Sequence, residues 1–122
     1  MAKPNLIVLY VADPLASVEF YRKLLGKEPT VAFPSFSSFQ VQEGFVLGLW
    51  ANGGVKPEPV GEGSRAELAF MVEGEEAVRA HYEEWQAMGL PIAQELTRMD
   101  FGPTFVALDP DGHRLRVCLY DN

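Results

Sequence analysis

The chain has 122 residues, 48% hydrophobic and 22% charged, a composition that suits one globular domain and excludes a disordered or fibrous chain. Its 10 Lys+Arg against 17 Asp+Glu give a net charge of −7, which argues against nucleic acid or a polybasic membrane contact, because both need clustered positive charge. No apolar stretch is long enough to span a bilayer, the opening Met1-Ala2-Lys3-Pro4-Asn5 lacks a secretory pattern, and the lone Cys118 has no internal disulfide partner, so the expected compartment is a reducing cytoplasm.

In chain order, Leu6–Val11 is a β-branched apolar run that predicts a buried strand. Asp13-Pro14 then starts a helix: the carboxylate can cap the free first-turn amides, and proline suits the first helical position. Leu15, Val18, Tyr21 and Leu25 form its apolar stripe, and Gly26 ends it. Strands are predicted near Thr30–Phe33, Phe36–Val41 and Phe45–Trp50. Ala51–Ser64, with Asn52-Gly53-Gly54, two prolines and Gly61-Glu62-Gly63, reads as a connection between two halves. It carries no phosphate-loop signature. The order then repeats: a strand at Glu67–Val72, a helix at Glu75–Met88 closed by Gly89, and strands near Ile92–Thr97, Thr104–Leu108 and Arg114–Leu119. Asp109-Pro110-Asp111-Gly112 marks a turn between the last two.

The chain therefore reads β-α-β-β-β twice, an α+β protein of one domain. Module 1 covers about 5–50, the linker 51–64 and module 2 about 65–120. Strand alternation places Ile7, Leu9, Val11, Leu47, Leu49, Leu68, Phe70, Val72, Leu115, Val117 and Leu119 on uniformly apolar faces suited to lie beneath the helices. The opposite faces are mixed: Leu6, Val8, Tyr10, Val46, Gly48 and Trp50 in one half, and Glu67, Ala69, Met71, Arg114, Arg116, Cys118 and Tyr120 in the other. Such faces suit curved sheets around a ligand cavity, or alternatively a second interface with a polar rim.

The element order, with Asp13…Phe20-Tyr21…Gly26 at the opening and Phe101-Gly102…Asp109-Pro110-Asp111-Gly112-His113 at the close, resembles the vicinal oxygen chelate superfamily of glyoxalases, extradiol dioxygenases and bleomycin-resistance proteins. Within it the chain looks most like the phenazine-antibiotic resistance proteins. That closer match is carried by Pro4-Asn5-Leu6, Phe20-Tyr21-Arg22, Lys27-Glu28-Pro29, Trp50, Phe101-Gly102, Thr104-Phe105 and the tail from Asp109 to Cys118. The resemblance implies paired βαβββ modules, each a curved, cup-like mixed sheet with its helix outside. It also implies a homodimer with sites at or near the interface. In the superfamily's metal enzymes the ligands come from the first, fourth, fifth and eighth strands. Those positions here are Leu6, Gly48, Glu67 and Arg116, of which only Glu67 can donate to a cation. No metal or other cofactor is expected.

Neither His81 nor His113 stands beside a serine or cysteine as a nucleophile–base pair would require, and Cys118 reads as a small wall residue, so no catalytic residue is expected. Glu67 and Arg116 are expected to form an ion pair, or Arg116 to meet a ligand carboxylate or carbonyl. Trp50 is the first candidate for stacking on a flat ring. Phe33, Phe36, Phe39, Phe101 and Tyr120 are further candidate wall residues. The reading is a non-enzymatic protein that sequesters a planar aromatic antibiotic, such as a phenazine. The alternatives are a metal-dependent glyoxalase- or dioxygenase-like enzyme, or a carrier of an aromatic metabolite. The net charge favours approach by a neutral or cationic ligand.

Overall fold

A computed structural model describes residues 1–63 and 65–120. The elements follow in the order β1 (Leu6–Val11), α1 (Pro14–Leu25), β2 (Val31–Ala32), β3 (Phe36–Gln42), β4 (Phe45–Ala51), β5 (Glu67–Val72), α2 (Glu75–Ala87), β6 (Ile92–Met99), β7 (Gly102–Leu108) and β8 (Arg114–Leu119), with a short 3₁₀ turn at Asn52–Gly54. This is the α+β class with two βαβββ modules. Each module is one open, mixed four-stranded sheet: β1-β4-β3-β2 in the first and β5-β8-β7-β6 in the second. In both, the strand before the helix pairs in parallel with the last strand of the module, and the remaining pairings are antiparallel. The chain divides into compact units at Met1–Gly61 and Glu62–Asn122.

In the first module, Asp13 Oδ1 accepts from the backbone amides of Leu15 and Ala16 at 3.1 and 3.4 Å, which caps α1. Gly26 closes the helix at φ 65°, a left-handed conformation that needs no Cβ. The face α1 buries is Pro14, Ser17, Val18 and Tyr21. Leu15, expected on the apolar stripe, is exposed, because the buried face is rotated toward Pro14 and Ser17. The helix packs on β3 and β4, over Phe39, Leu47 and Leu49. The second strand is only two residues long, hemmed by Pro29 and Pro34, which cannot donate to a ladder.

In the second module, α2 buries Val78 and Trp85 against β7 and β8. The Trp85 indole meets Phe105 and Phe70 edge to face, with ring centroids 5.4 and 5.3 Å apart. Phe105, Ala107, Leu115 and Val117 are fully buried, so the helix-covered face of this sheet is apolar as the alternation predicts. The turn into β8 is built by Asp109. Its buried carboxylate accepts from the amides of Asp111 and His113 at 2.9 and 2.8 Å. Among the described residues no helix is long and apolar enough to cross a membrane.

Candidate functional site

Register fixes which side chains share the helix-free face of the first sheet. Leu6, Val8 and Tyr10 pair with Val46, Gly48 and Trp50, and these pair in turn with Gln40, Ser38 and Phe36. Trp50 and Phe36 are therefore cross-strand neighbours. Tyr10 meets the Trp50 ring edge to face, at a centroid distance of 6.3 Å and an interplanar angle of 81°. Gly54, in the 3₁₀ turn after β4, lies against the indole: a Cβ there would stand 3.5 Å from Trp50 Nε1. The half-buried indole is thus held by its own module.

Gly48 has a comparable role. A Cβ at Gly48 would stand 3.0 and 3.1 Å from two carbons of the Phe36 ring and 3.5 Å from Leu6 Cδ1. The phenyl ring lies across the bare backbone of β4, and the missing side chain at Gly48 lets it approach this closely. Beside this ring a concavity of about 380 Å³ is lined by Asn5, Leu6, Phe36, Ser38, Gln40, Gly44, Phe45 and Val46. Its floor is apolar, and its polar side chains are uncharged amides and a hydroxyl. A concavity of this size falls in the range of small-molecule sites.

The other two candidates of this module lie elsewhere. Phe39 pairs with Leu47, is fully buried, and belongs to the core under α1 rather than to the helix-free face. Phe33 sits in the turn between β2 and β3 with its side chain exposed. Ser37 clamps that turn: its hydroxyl accepts from the Phe33 amide and donates to the Phe33 carbonyl, both at 3.1 Å.

In the second module the helix-free face is polar. Arg116 Nε donates to both Glu67 carboxylate oxygens at 2.9 and 3.0 Å. Its Nη1 donates to Gln94 Oε1 at 3.0 Å and Thr104 Oγ1 at 3.1 Å. Thr104 is fully buried and donates its own proton to the Val117 carbonyl at 2.7 Å, so its oxygen is oriented to receive the guanidinium. The Phe101 ring, in the turn between β6 and β7, stands 5.9 Å from the guanidinium carbon. Arg114 is cross-strand from Glu67 in register and approaches it at 4.0 Å. The expected pairing of Glu67 with Arg116 is therefore present, inside a larger network. Tyr120, just past β8, is half exposed. Gln94, Thr104 and Arg114 were absent from the sequence-predicted site. Arg114 is two residues from Arg116 and shares its face by alternation, so it was findable. Gln94 was not, because irregularities in β6 on both sides of it break the alternation.

A family model for the glyoxalase/bleomycin resistance protein/dioxygenase superfamily matches residues 3–117. The chain belongs to this superfamily. A phenazine antibiotic resistance protein, EhpR of Enterobacter agglomerans, is 34% identical over 97% of this chain and 92% of that protein. Among solved structures, the solution structure of an Agrobacterium tumefaciens protein is 42% identical with a TM-score of 0.88, and each chain is covered in full. A glyoxalase-related enzyme from Fulvimarina pelagi is 26% identical with a TM-score of 0.80, covering 98% of this chain and 89% of that one.

Metal enzymes of the superfamily imply a cation, and the residues at those positions do not fit one. Leu6 offers no donor, Gly48 lies under the Phe36 ring, and Glu67 is hydrogen-bonded to Arg116, whose own charge repels a cation. Among the described residues no group of three or more His, Cys, Asp or Glu is gathered for a metal. The positions that the resemblance assigns to metal donors hold apolar packing in one module and an ion-pair network in the other.

Proposed function

We propose that this member of the superfamily is an antibiotic resistance protein that binds a planar aromatic drug, of the phenazine kind, and holds it by contact without changing it. The observation that carries the reading is the Trp50 indole, braced by Tyr10 and Gly54 on the helix-free face beside the Phe36 ring and its neighbouring concavity. Rigid aromatic side chains held in this way supply stacking area at little entropic cost on binding. The kinship with a phenazine resistance protein supports a ligand of that class. Sequestration needs neither a base nor a cation.

Exposed Leu6, Tyr10, Met71 and Tyr120 leave apolar surface on the helix-free faces. A homodimer with sites at or near its interface would cover such surface, and light scattering at micromolar concentration is expected to give twice the chain mass.

Fluorescence titration with phenazine tests the binding. Saturable one-to-one quenching is expected, and Trp50→Ala should weaken the affinity by roughly thirtyfold, the weight of one stacked aromatic wall. Trp85 lies in the core and serves as the internal control. Equal affinity in both proteins would remove Trp50 from the site. The family also contains enzymes, and a glyoxalase-related one is among the structural relatives. Stoichiometric iron, manganese, nickel or zinc in protein purified without chelator, together with turnover, would favour that reading over sequestration.

A further inference from the structure

We propose that the Ser38 hydroxyl is a specificity-determining donor on the helix-free face of the first module, and that it selects a flat heteroaromatic ring by donating to a nitrogen within that ring. The inference rests on the aromatic-binding reading and adds the polar atom by which the ring is recognised. Three observations carry it.

The first is that Ser38 is buried without a use in the fold. It is 7% exposed and lines the concavity beside the Phe36 ring. Among the described residues its side chain makes no hydrogen bond. The adjacent Ser37 spends its hydroxyl on the Phe33 turn, and the buried Thr104 spends its own on the Val117 carbonyl. Asn5 and Gln40, the other polar side chains on the concavity, are exposed and reach water. Burying a hydroxyl costs free energy unless a partner arrives. A ligand acceptor in the concavity would be that partner.

The second comes from the internal repeat. Ser38 pairs with Gly48 on β4, and at the corresponding place in the second module Val106 pairs with Arg116 on β8. Val106 is fully buried. The sister sheet fills this strand position with an apolar residue, so the fold does not call for a hydroxyl there.

The third is the neighbourhood. Phe36 and Ser38 share one face of β3 by alternation and pair with Trp50 and Gly48. The Phe36 ring lies over Gly48, the residue that Ser38 faces. The hydroxyl therefore stands beside the rings that form the aromatic walls. No charged side chain lines the concavity, so its complement is a neutral group. A serine hydroxyl can donate or accept. A phenazine-type ring nitrogen carries an in-plane lone pair and no proton, which fixes the direction: the hydroxyl donates and the nitrogen accepts. A ring entering edge-first meets Ser38 with that lone pair and keeps its faces for aromatic contact. A carbocyclic ring of the same outline leaves the hydroxyl buried and unpaired, and that penalty is the source of the selection.

The test titrates the intact protein and its Ser38→Ala variant with phenazine-1-carboxylate and anthracene-1-carboxylate, by calorimetry at neutral pH. The probes share a three-ring outline and a charge, and differ in two ring nitrogens against two CH groups, so the comparison isolates the contact to nitrogen. Ser38→Ala should weaken binding of the phenazine by about three- to tenfold, the weight of one neutral hydrogen bond, and leave the anthracene within about twofold. Without ligand, the urea midpoint of Ser38→Ala should match or exceed that of the unaltered protein, because the hydroxyl holds nothing in the fold. A lower midpoint assigns the hydroxyl to the fold and overturns the proposal. A loss of affinity equal for both probes, or no loss for either, also overturns it and leaves the aromatic-binding reading standing. Failure of the unaltered protein to bind either probe overturns both.

Discussion

At the scale of single residues, Gly48 decides what the first module's helix-free face can hold. Its backbone carries the Phe36 ring closer than most Cβ atoms allow, since a methyl there would fall 3.0 Å from one ring carbon and 3.1 Å from another, and the ring would have to give by a few tenths of an ångström. Gly48→Ala should therefore shift the ring slightly and alter the concavity beside it. Overpacking of this kind costs about 1–3 kcal/mol, and the lower end applies because the half-buried ring can yield toward solvent. Urea denaturation of Gly48→Ala, Phe36→Ala and the double variant checks the cause. The penalty of the glycine substitution should vanish once the ring is gone, a coupling of about 1 kcal/mol. A penalty that persists without the ring would assign it to the strand backbone instead. The same exchange would lower affinity for a flat ligand that packs beside Phe36, so stability and binding would change together here. At Trp50→Ala, where the ring is half exposed, binding should suffer more than stability.

At the scale of elements, the Asp109 turn is the firmest local device. Its carboxylate is buried and accepts from the amides of Asp111 and His113, which sets the direction in which β8 leaves the turn. The strand that follows carries Arg114 and Arg116. Asp109→Ala should strand two amides and destabilise the protein by about 1–3 kcal/mol, with Asp109→Asn recovering part of the loss. Differential scanning calorimetry measures it, and a loss below about 0.5 kcal/mol would mean that backbone contacts alone hold the turn. This turn was legible in the sequence because Asp-Pro-Asp-Gly is local chemistry, as were the Asp13 cap and the left-handed Gly26. The order of elements was legible as a repeated βαβββ pattern, whereas the sheet order β1-β4-β3-β2 is a product of tertiary pairing. Phasing of faces was legible only where strands run without interruption: β1, β4, β5 and β8 alternate cleanly, and their helix faces were read from sequence. The third strand did not allow this. It follows Pro34 in a short turn and shifts register between Gln40 and Gln42, so nothing local says which phenylalanine faces the helix. Pairing with β4 decides it, sending Phe36 beside Trp50 and Phe39 into the core. The partners of Arg116 were hidden for the same reason, since Gln94 reaches it across irregular β6 and Thr104 across β7, contacts that only tertiary pairing creates.

At the scale of the whole molecule, total charge and local charge act on an anionic ligand in opposite directions and at different stages of binding. The net −7 produces a negative far field, which is what an approaching molecule meets first. The surplus positive charge of the Glu67, Arg114 and Arg116 cluster is felt only at close range, where the side chains are partly shielded from solvent. Rates separate the two. Raising ionic strength from about 0.01 to 0.15 M shortens the screening length from about 30 to about 8 Å, which removes most of the far field. The association rate of phenazine-1-carboxylate in stopped flow should therefore rise by a few-fold over this range. Its dissociation rate should also rise, though less, because a hydrogen-bonded guanidinium is poorly screened by mobile ions. Its uncharged primary amide should show neither change. An association rate that instead falls with salt would mean that the arginine cluster, rather than the molecule's net charge, dominates the approach. An acid whose rates are as flat as the amide's would mean that it binds without meeting either field. The sequence expectation that a net negative protein favours neutral or cationic ligands concerns the encounter, and the salt dependence of the association rate tests it there. Retention after the encounter is set by close-range contacts, and a count over the whole chain averages away a local cluster such as Glu67, Arg114 and Arg116.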